Sequence, residues 1–100
     1  MSSEELLLLE AKQKVCSYID SIAPELIELS HSIHAQPELA YEEHFAHQCL
    51  TKTLSEKGLD VETGAYELET AFEANIGSSG PVIALLCEYD ALPGIGHACG

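Results

Sequence analysis

Val82-Ile83-Ala84-Leu85-Leu86-Cys87 is apolar on both faces and leads directly into Glu88-Tyr89-Asp90-Ala91-Leu92-Pro93-Gly94-Ile95-Gly96-His97-Ala98-Cys99-Gly100. A short apolar run that follows a turn signal such as Gly77-Ser78-Ser79-Gly80-Pro81 reads as a strand. Because it shows no polar alternation, that strand is expected inside a sheet covered by helices on both faces, usually a parallel one. Such a strand needs neighbours on both edges and a layer on each face. The residues before it supply only part of that. The expectation is therefore an α/β chain that forms the start of a larger, incomplete domain.

Working outward, the first third is helical. Val15, Ile19, Ile22, Leu26, Leu29 and Ile33 recur at steps of three and four and make one apolar stripe. The stripe keeps its phase across Pro24, which predicts one long kinked helix, or two nearly collinear ones with Pro24 in the first turn of the second. Gln36-Pro37 should end it, since a residue before proline avoids the helical region. A second helix is expected from about Tyr41 to Lys57, with Phe45, Cys49, Leu50 and Leu54 on its inner face. Glu42 and Glu43 are expected in its first turn and Gly58 at its C-terminal end. After Gly58 the period changes to two, and short strands are predicted over residues 59–63 and 70–76.

Composition narrows the partners. Seventeen acidic residues face four basic ones, for a formal net charge of −13. A polyanion of this density repels nucleic-acid phosphates and anionic membrane surfaces, so neither is expected as a partner. The start, Met1-Ser2-Ser3-Glu4-Glu5, is acidic where a secretory signal would be basic, and Leu6 to Leu9 is far too short for a membrane span. A cytoplasmic protein is the resulting expectation. Cys16, Cys49, Cys87 and Cys99 show no Cys-x-x-Cys spacing and are expected reduced, the first three as packing residues.

The chemistry is expected at the end of the apolar strand, where open α/β sheets bind their ligands. Glu88 and Asp90, at i and i+2, point to one face of extended chain. Pro93, Gly94 and Gly96 turn the chain, and His97 and Cys99 follow. Carboxylate, imidazole and thiolate are donors for zinc, or for manganese where oxygen ligands dominate. Spacing alone leaves the alternative of solvated turn acids and an incidental His-x-Cys. His44 and His47, at i and i+3, could pair on a metal, against the commoner reading of surface histidines.

Two blocks together carry a resemblance. Residues 29–44 (LSHSIHAQPELAYEEH) and 87–100 (CEYDALPGIGHACG) resemble the start of the aminoacylase/carboxypeptidase amidohydrolase family of metallopeptidases. Within it, they are similar to the branch of dipeptidases acting on β-alanyl-lysine and Xaa-Arg dipeptides. The resemblance implies a zinc-exopeptidase-like catalytic domain: two N-terminal helices, then strands of a mixed sheet. Residues 1–100 would be its N-terminal part, with the lid and dimerisation domain absent from them. It implies two divalent metal ions, zinc or manganese, with Cys99 as a ligand of one. Asp90 would orient the site from behind the ligands. Other branches carry a metal-binding histidine where Glu88 stands, and Glu88 is not assigned to the metal. His97 would either touch the ligands from behind or pack the loop. Pro37, Glu38 and Glu43 would hold the first two helices against the site. The general base and the remaining ligands would lie beyond Gly100.

The implied reaction is hydrolysis of small dipeptides with a basic C-terminal residue by metal-activated water, in a full-length protein that could dimerise. The 100 residues alone are expected to be inactive. The competing expectation is a non-catalytic product that binds a partner through an open sheet edge. A weaker third is a redox role for Cys99.

Overall fold

The computed structural model describes residues 2–94. The elements run α1 (Ser3–His34), α2 (His44–Glu56), β1 (Asp60–Thr63), a short 3-10 turn (Ala65–Glu67) and β2 (Phe72–Asn75). They fall into two compact units, Met1–His31 and Ser32–Gly100.

The first unit holds most of α1, whose last turn belongs to the second. Ser2 Oγ accepts the Glu5 N–H at 3.1 Å, and Glu4 and Glu5 place negative charge in the first turn, where the helix dipole favours it. Pro24 lies inside the helix, lacks the amide that would bond Asp20 and crowds that carbonyl, yet helix continues on both sides. The one-helix expectation holds. No residue of α1 is buried, and Leu6, Leu7, Leu8, Leu9, Val15 and Ile19 are all exposed.

In the second unit, α2 ends on a well-defined stop. Gly58 has φ +91°, its N–H donates to the Ser55 carbonyl, and the Leu59 N–H reaches back to Leu54 O, each at 3.1 Å. This is the Schellman arrangement, and its left-handed residue explains the glycine. The chain then enters an antiparallel pair, with Asp60 opposite Asn75 and Thr63 opposite Phe72. The Gly64 N–H closes the pair onto Ala71 O at 2.9 Å. α2 lies against both strands. The core is small: Ala46 is 1 % exposed, Ala65 3 % and Thr70 6 %. Phe45, Cys49, Leu50 and Leu54, expected on the inner face of α2, are half-buried around Ala46.

Four expectations need correction. Val82–Cys87 forms no strand; it has no regular structure, and Val82, Ile83, Leu85 and Leu86 are 94, 85, 89 and 97 % exposed. The physical reason is that a strand apolar on both faces gains little until neighbours pair its edges and cover its faces. Among the described residues none does so. Among the described residues the sheet is a two-stranded antiparallel pair, not the mixed sheet expected of the whole domain. Glu42 and Glu43 precede α2 instead of lying in its first turn. Cys16 and Cys87, read as packing residues, are exposed, while Cys49 is half-buried. Among the described residues no helix is long and apolar enough to cross a membrane.

Candidate functional site

The site is built around Glu38. α2 begins at His44, and its preceding residue, Glu43, offers no side-chain cap of its own. Glu38 supplies the cap from outside the helix: its Oε2 accepts the Phe45 N–H and its Oε1 the Ala46 N–H, both at 2.9 Å. Two of the free amides of the first turn are thereby satisfied by one carboxylate placed on the positive end of the helix dipole. The Phe45 N–H is the main cause that holds the Glu38 carboxyl below its usual range; partial desolvation opposes it, and the Ala46 N–H and His44 add to the lowering.

The same residue grips the second motif block. The Ala91 N–H donates to the Glu38 backbone carbonyl at 2.6 Å. On the other side of Asp90, the Tyr89 hydroxyl donates to the Thr70 carbonyl. The Tyr89 ring stacks on Phe72 with centroids 6.0 Å apart and planes 29° from parallel. Phe72 also meets His47 edge-on at 5.9 Å, and His47 Nε2 lies 3.3 Å from Ala71 O. Buried Thr70 in turn donates its hydroxyl to Glu43 Oε1 at 2.9 Å. Burial, followed by the charges of Glu43 and Glu38, pushes the Tyr89 phenol above its usual range. It therefore stays a donor at neutral and mildly alkaline pH.

These contacts bring the two motif blocks together at an open cleft of about 410 Å³. Its wall includes Tyr41, Glu43, Phe72, Glu88, Tyr89 and Asp90. Glu88 and Asp90 both line the cleft, together with Cys87 and Tyr89; Asp90 is half-buried and Glu88 exposed. Tyr41 stands at its edge with φ +68°, a conformation that costs a side chain like tyrosine of order 1 kcal/mol or more.

The remaining sequence-derived residues divide. Cys99 and His97 lie outside the described residues. His47 is engaged by Ala71 and Phe72, which favours packing over a metal pair with His44. Among the described residues no three His, Cys, Asp or Glu side chains gather closely enough to hold a metal ion, so the described residues do not by themselves fit a metal centre. Thr70 and Phe72 read in the sequence only as strand residues, and Tyr89 only as part of the motif. The available signal was the position of Tyr89, an aromatic residue between two acids in a segment too polar to bury it by default.

No family model matches the chain. It is 45 % identical to human Xaa-Arg dipeptidase, over 96 % of this chain and 24 % of that protein. It is 31 % identical to thermostable carboxypeptidase 2 of Saccharolobus solfataricus, over 88 % of this chain and 26 % of that protein. It is 35 % identical to N-acetyl-L-cysteine deacetylase of Bacillus subtilis, over 82 % of this chain and 23 % of that protein. The chain thus spans about a quarter of the length of these curated relatives.

Proposed function

This chain belongs to the amidohydrolase and peptidase family of aminoacylase/carboxypeptidase type, and from that premise we propose that it is the N-terminal catalytic segment of a metal-dependent dipeptidase. The proposed substrates are small dipeptides with a basic C-terminal residue, of the β-alanyl-lysine or Xaa-Arg kind. The observation that carries the reading is the 45 % identity to human Xaa-Arg dipeptidase across 96 % of the chain. Its support in the fold is that the two motif blocks meet, directly through Glu38 and Ala91 and by way of Thr70, which bonds both Glu43 and Tyr89.

The cofactor is a pair of divalent ions, zinc or manganese, which when bound would activate water and polarise the scissile carbonyl. Cys99 is proposed as a ligand of one of them. Asp90 is proposed to orient the site rather than to react, and its half-buried place on the cleft wall between two tethered residues favours that role. The acidic cleft suits a cationic substrate side chain. Residues 1–100 alone are proposed to be inactive, and the whole protein to act in the cytoplasm and to be able to dimerise.

The test is an assay of the whole protein, purified from its native source, on β-alanyl-lysine and a set of Xaa-Arg dipeptides, before and after chelation and with zinc or manganese restored. Release of lysine or arginine that chelation abolishes and metal restores supports the reading. No amide cleavage in any of these conditions overturns it.

A second reading draws on the exposed apolar run at residues 82–86: a non-catalytic product that covers this run with a partner. A monodisperse monomer that captures nothing counts against it.

A further inference from the structure

Among the described residues no side-chain hydrogen bond fixes Asp90, but both of its neighbours are tied down. On one side, the Ala91 N–H is bound to the Glu38 carbonyl at 2.6 Å. On the other, Tyr89 is held twice, by its hydroxyl on the Thr70 carbonyl and by its ring on Phe72. Thr70 is itself anchored. It is 6 % exposed, and its hydroxyl donates to Glu43 Oε1 at 2.9 Å. Glu43 and Glu38 flank the start of α2, one as the residue before the helix and the other as its cap. A continuous set of bonds therefore runs from the first turn of α2 to the backbone on each side of Asp90.

We infer that Thr70 and Tyr89 are positioning residues for Asp90, acting with the Glu38 carbonyl as a bracket that sets where its carboxylate sits in the cleft. The inference rests on the dipeptidase reading above, since it gives the bracket a reaction to serve. The physical argument is one of leverage. Residues 82–88 before the bracket lie exposed and carry no regular structure, so they cannot hold Asp90 in place. Among the described residues, the bonds at 89 and 91 are the ones that can. A displacement of about 1 Å in a group that orients an active site can cost about a hundredfold in rate. The bracket thus affects turnover far more than it affects folding. The threonine hydroxyl and the tyrosine hydroxyl have separate tasks, because Tyr89 binds the Thr70 backbone and Thr70 binds Glu43 through its side chain.

The experiment uses the whole protein and three variants. Tyr89→Phe keeps the ring on Phe72 and removes the hydroxyl. Thr70→Val removes the bond to Glu43 at nearly constant shape, and Thr70→Ser restores it. The expected result for Tyr89→Phe and Thr70→Val is a fall in kcat of about 10- to 100-fold with KM within about twofold, the pattern of a misplaced orienting group. Thr70→Ser should stay within about threefold of wild type, and Tm should hold within a few degrees throughout. Hydrogen exchange supplies a readout independent of activity: the Ala91 amide should be protected in the wild type and lose protection in Tyr89→Phe. A kcat within twofold of wild type in Tyr89→Phe overturns the inference, as does an equal loss in Thr70→Val and Thr70→Ser. Wild-type protein that cleaves no amide overturns the functional reading instead. In that case exchange still decides the bracket: an Ala91 amide unprotected in the wild type, or equally protected in Tyr89→Phe, overturns it.

Discussion

Val82 to Leu86 and Tyr89 to Ala91 are neighbours in the chain and opposites in their surroundings. The first stretch is the most apolar in the sequence, and its four large side chains are 85–97 % exposed. The second follows Glu88 and contains Asp90, yet its tyrosine is half-buried, stacked on a ring and bonded to a carbonyl, and its alanine amide is paired. The difference shows that hydrophobicity states a requirement without meeting it. A two-faced strand is stabilised only when other strands and layers surround it, and each exposed leucine forgoes about 25 cal/mol for every Å² left in water. Tyr89 needs one acceptor and one ring, and Thr70 and Phe72 supply both from within the same unit.

If that contrast is right, the largest stability effect should come from the ring. Phe72→Ala removes the surface that Tyr89 and His47 share. Because Phe72 is half-buried, the expected cost is about 2 kcal/mol, below the 3–5 typical of a fully buried phenylalanine. Urea unfolding measures it. A cost below about 0.5 kcal/mol would break the ring's part of the comparison and leave only the hydrogen bonds of Tyr89 and Ala91 to hold residues 89–91.

The next effect belongs to the cap. Glu38→Ala frees the Phe45 and Ala46 amides and leaves the positive end of α2 uncompensated. The melting temperature should fall by about 2–8 °C, the range for loss of a helix cap in domains of ordinary size. Residues 88–92 should become more accessible to exchange, because the backbone carbonyl that receives Ala91 belongs to the same residue. An unchanged melting temperature would separate the cap from the bracket.

A pH titration sharpens the same point more gently. The Glu38 carboxyl titrates below its ordinary value of 4.5, chiefly because the Phe45 N–H favours the charged form. A group whose folded pKa is depressed contributes stability that is present above the unfolded value. That contribution is lost as pH falls through the folded one. Stability should therefore decline below about pH 4.5, and Glu38→Gln should flatten the decline. At the other extreme, Tyr89 titrates above its ordinary 10.0, so its contribution is present below that value and is lost as pH rises through the folded one. Circular dichroism across both limbs checks the two signs.

Much of the frame was legible in residue order. The phase of Val15 through Ile33, kept across Pro24, gives one helix or two nearly collinear ones, of which the structure has the first, and Gly58 marks the end of α2 through the need for a left-handed residue. The shift to period two after Gly58 locates the β1–β2 pair within a residue or two. What escaped was set by tertiary partners. Glu42 and Glu43 look like first-turn acids, but the helix takes its anion from Glu38, five residues before Glu43 and six before His44. Thr70 carries no periodic signal, because its burial comes from Glu43 and Tyr89, which are remote in sequence. The strand expected at 82–87 does not form among the described residues, because an apolar run specifies its own preference and nothing about whether neighbours are present.

The smallest effect is expected where the sequence is most apolar. Leu86 is 97 % exposed, so Leu86→Ser in this chain removes few contacts and should change stability by no more than about 0.5 kcal/mol. The same substitution becomes informative in a polypeptide of the relatives' length. If strands and helices there enclose residues 82–87, burying a serine hydroxyl and losing the leucine should together cost about 3 kcal/mol or more. A large loss in the long polypeptide beside a negligible one here would show that the two-faced run is a strand awaiting its neighbours. A negligible loss in both would leave Val82 to Leu86 a surface segment, and the layered domain that its composition suggests would have to be abandoned.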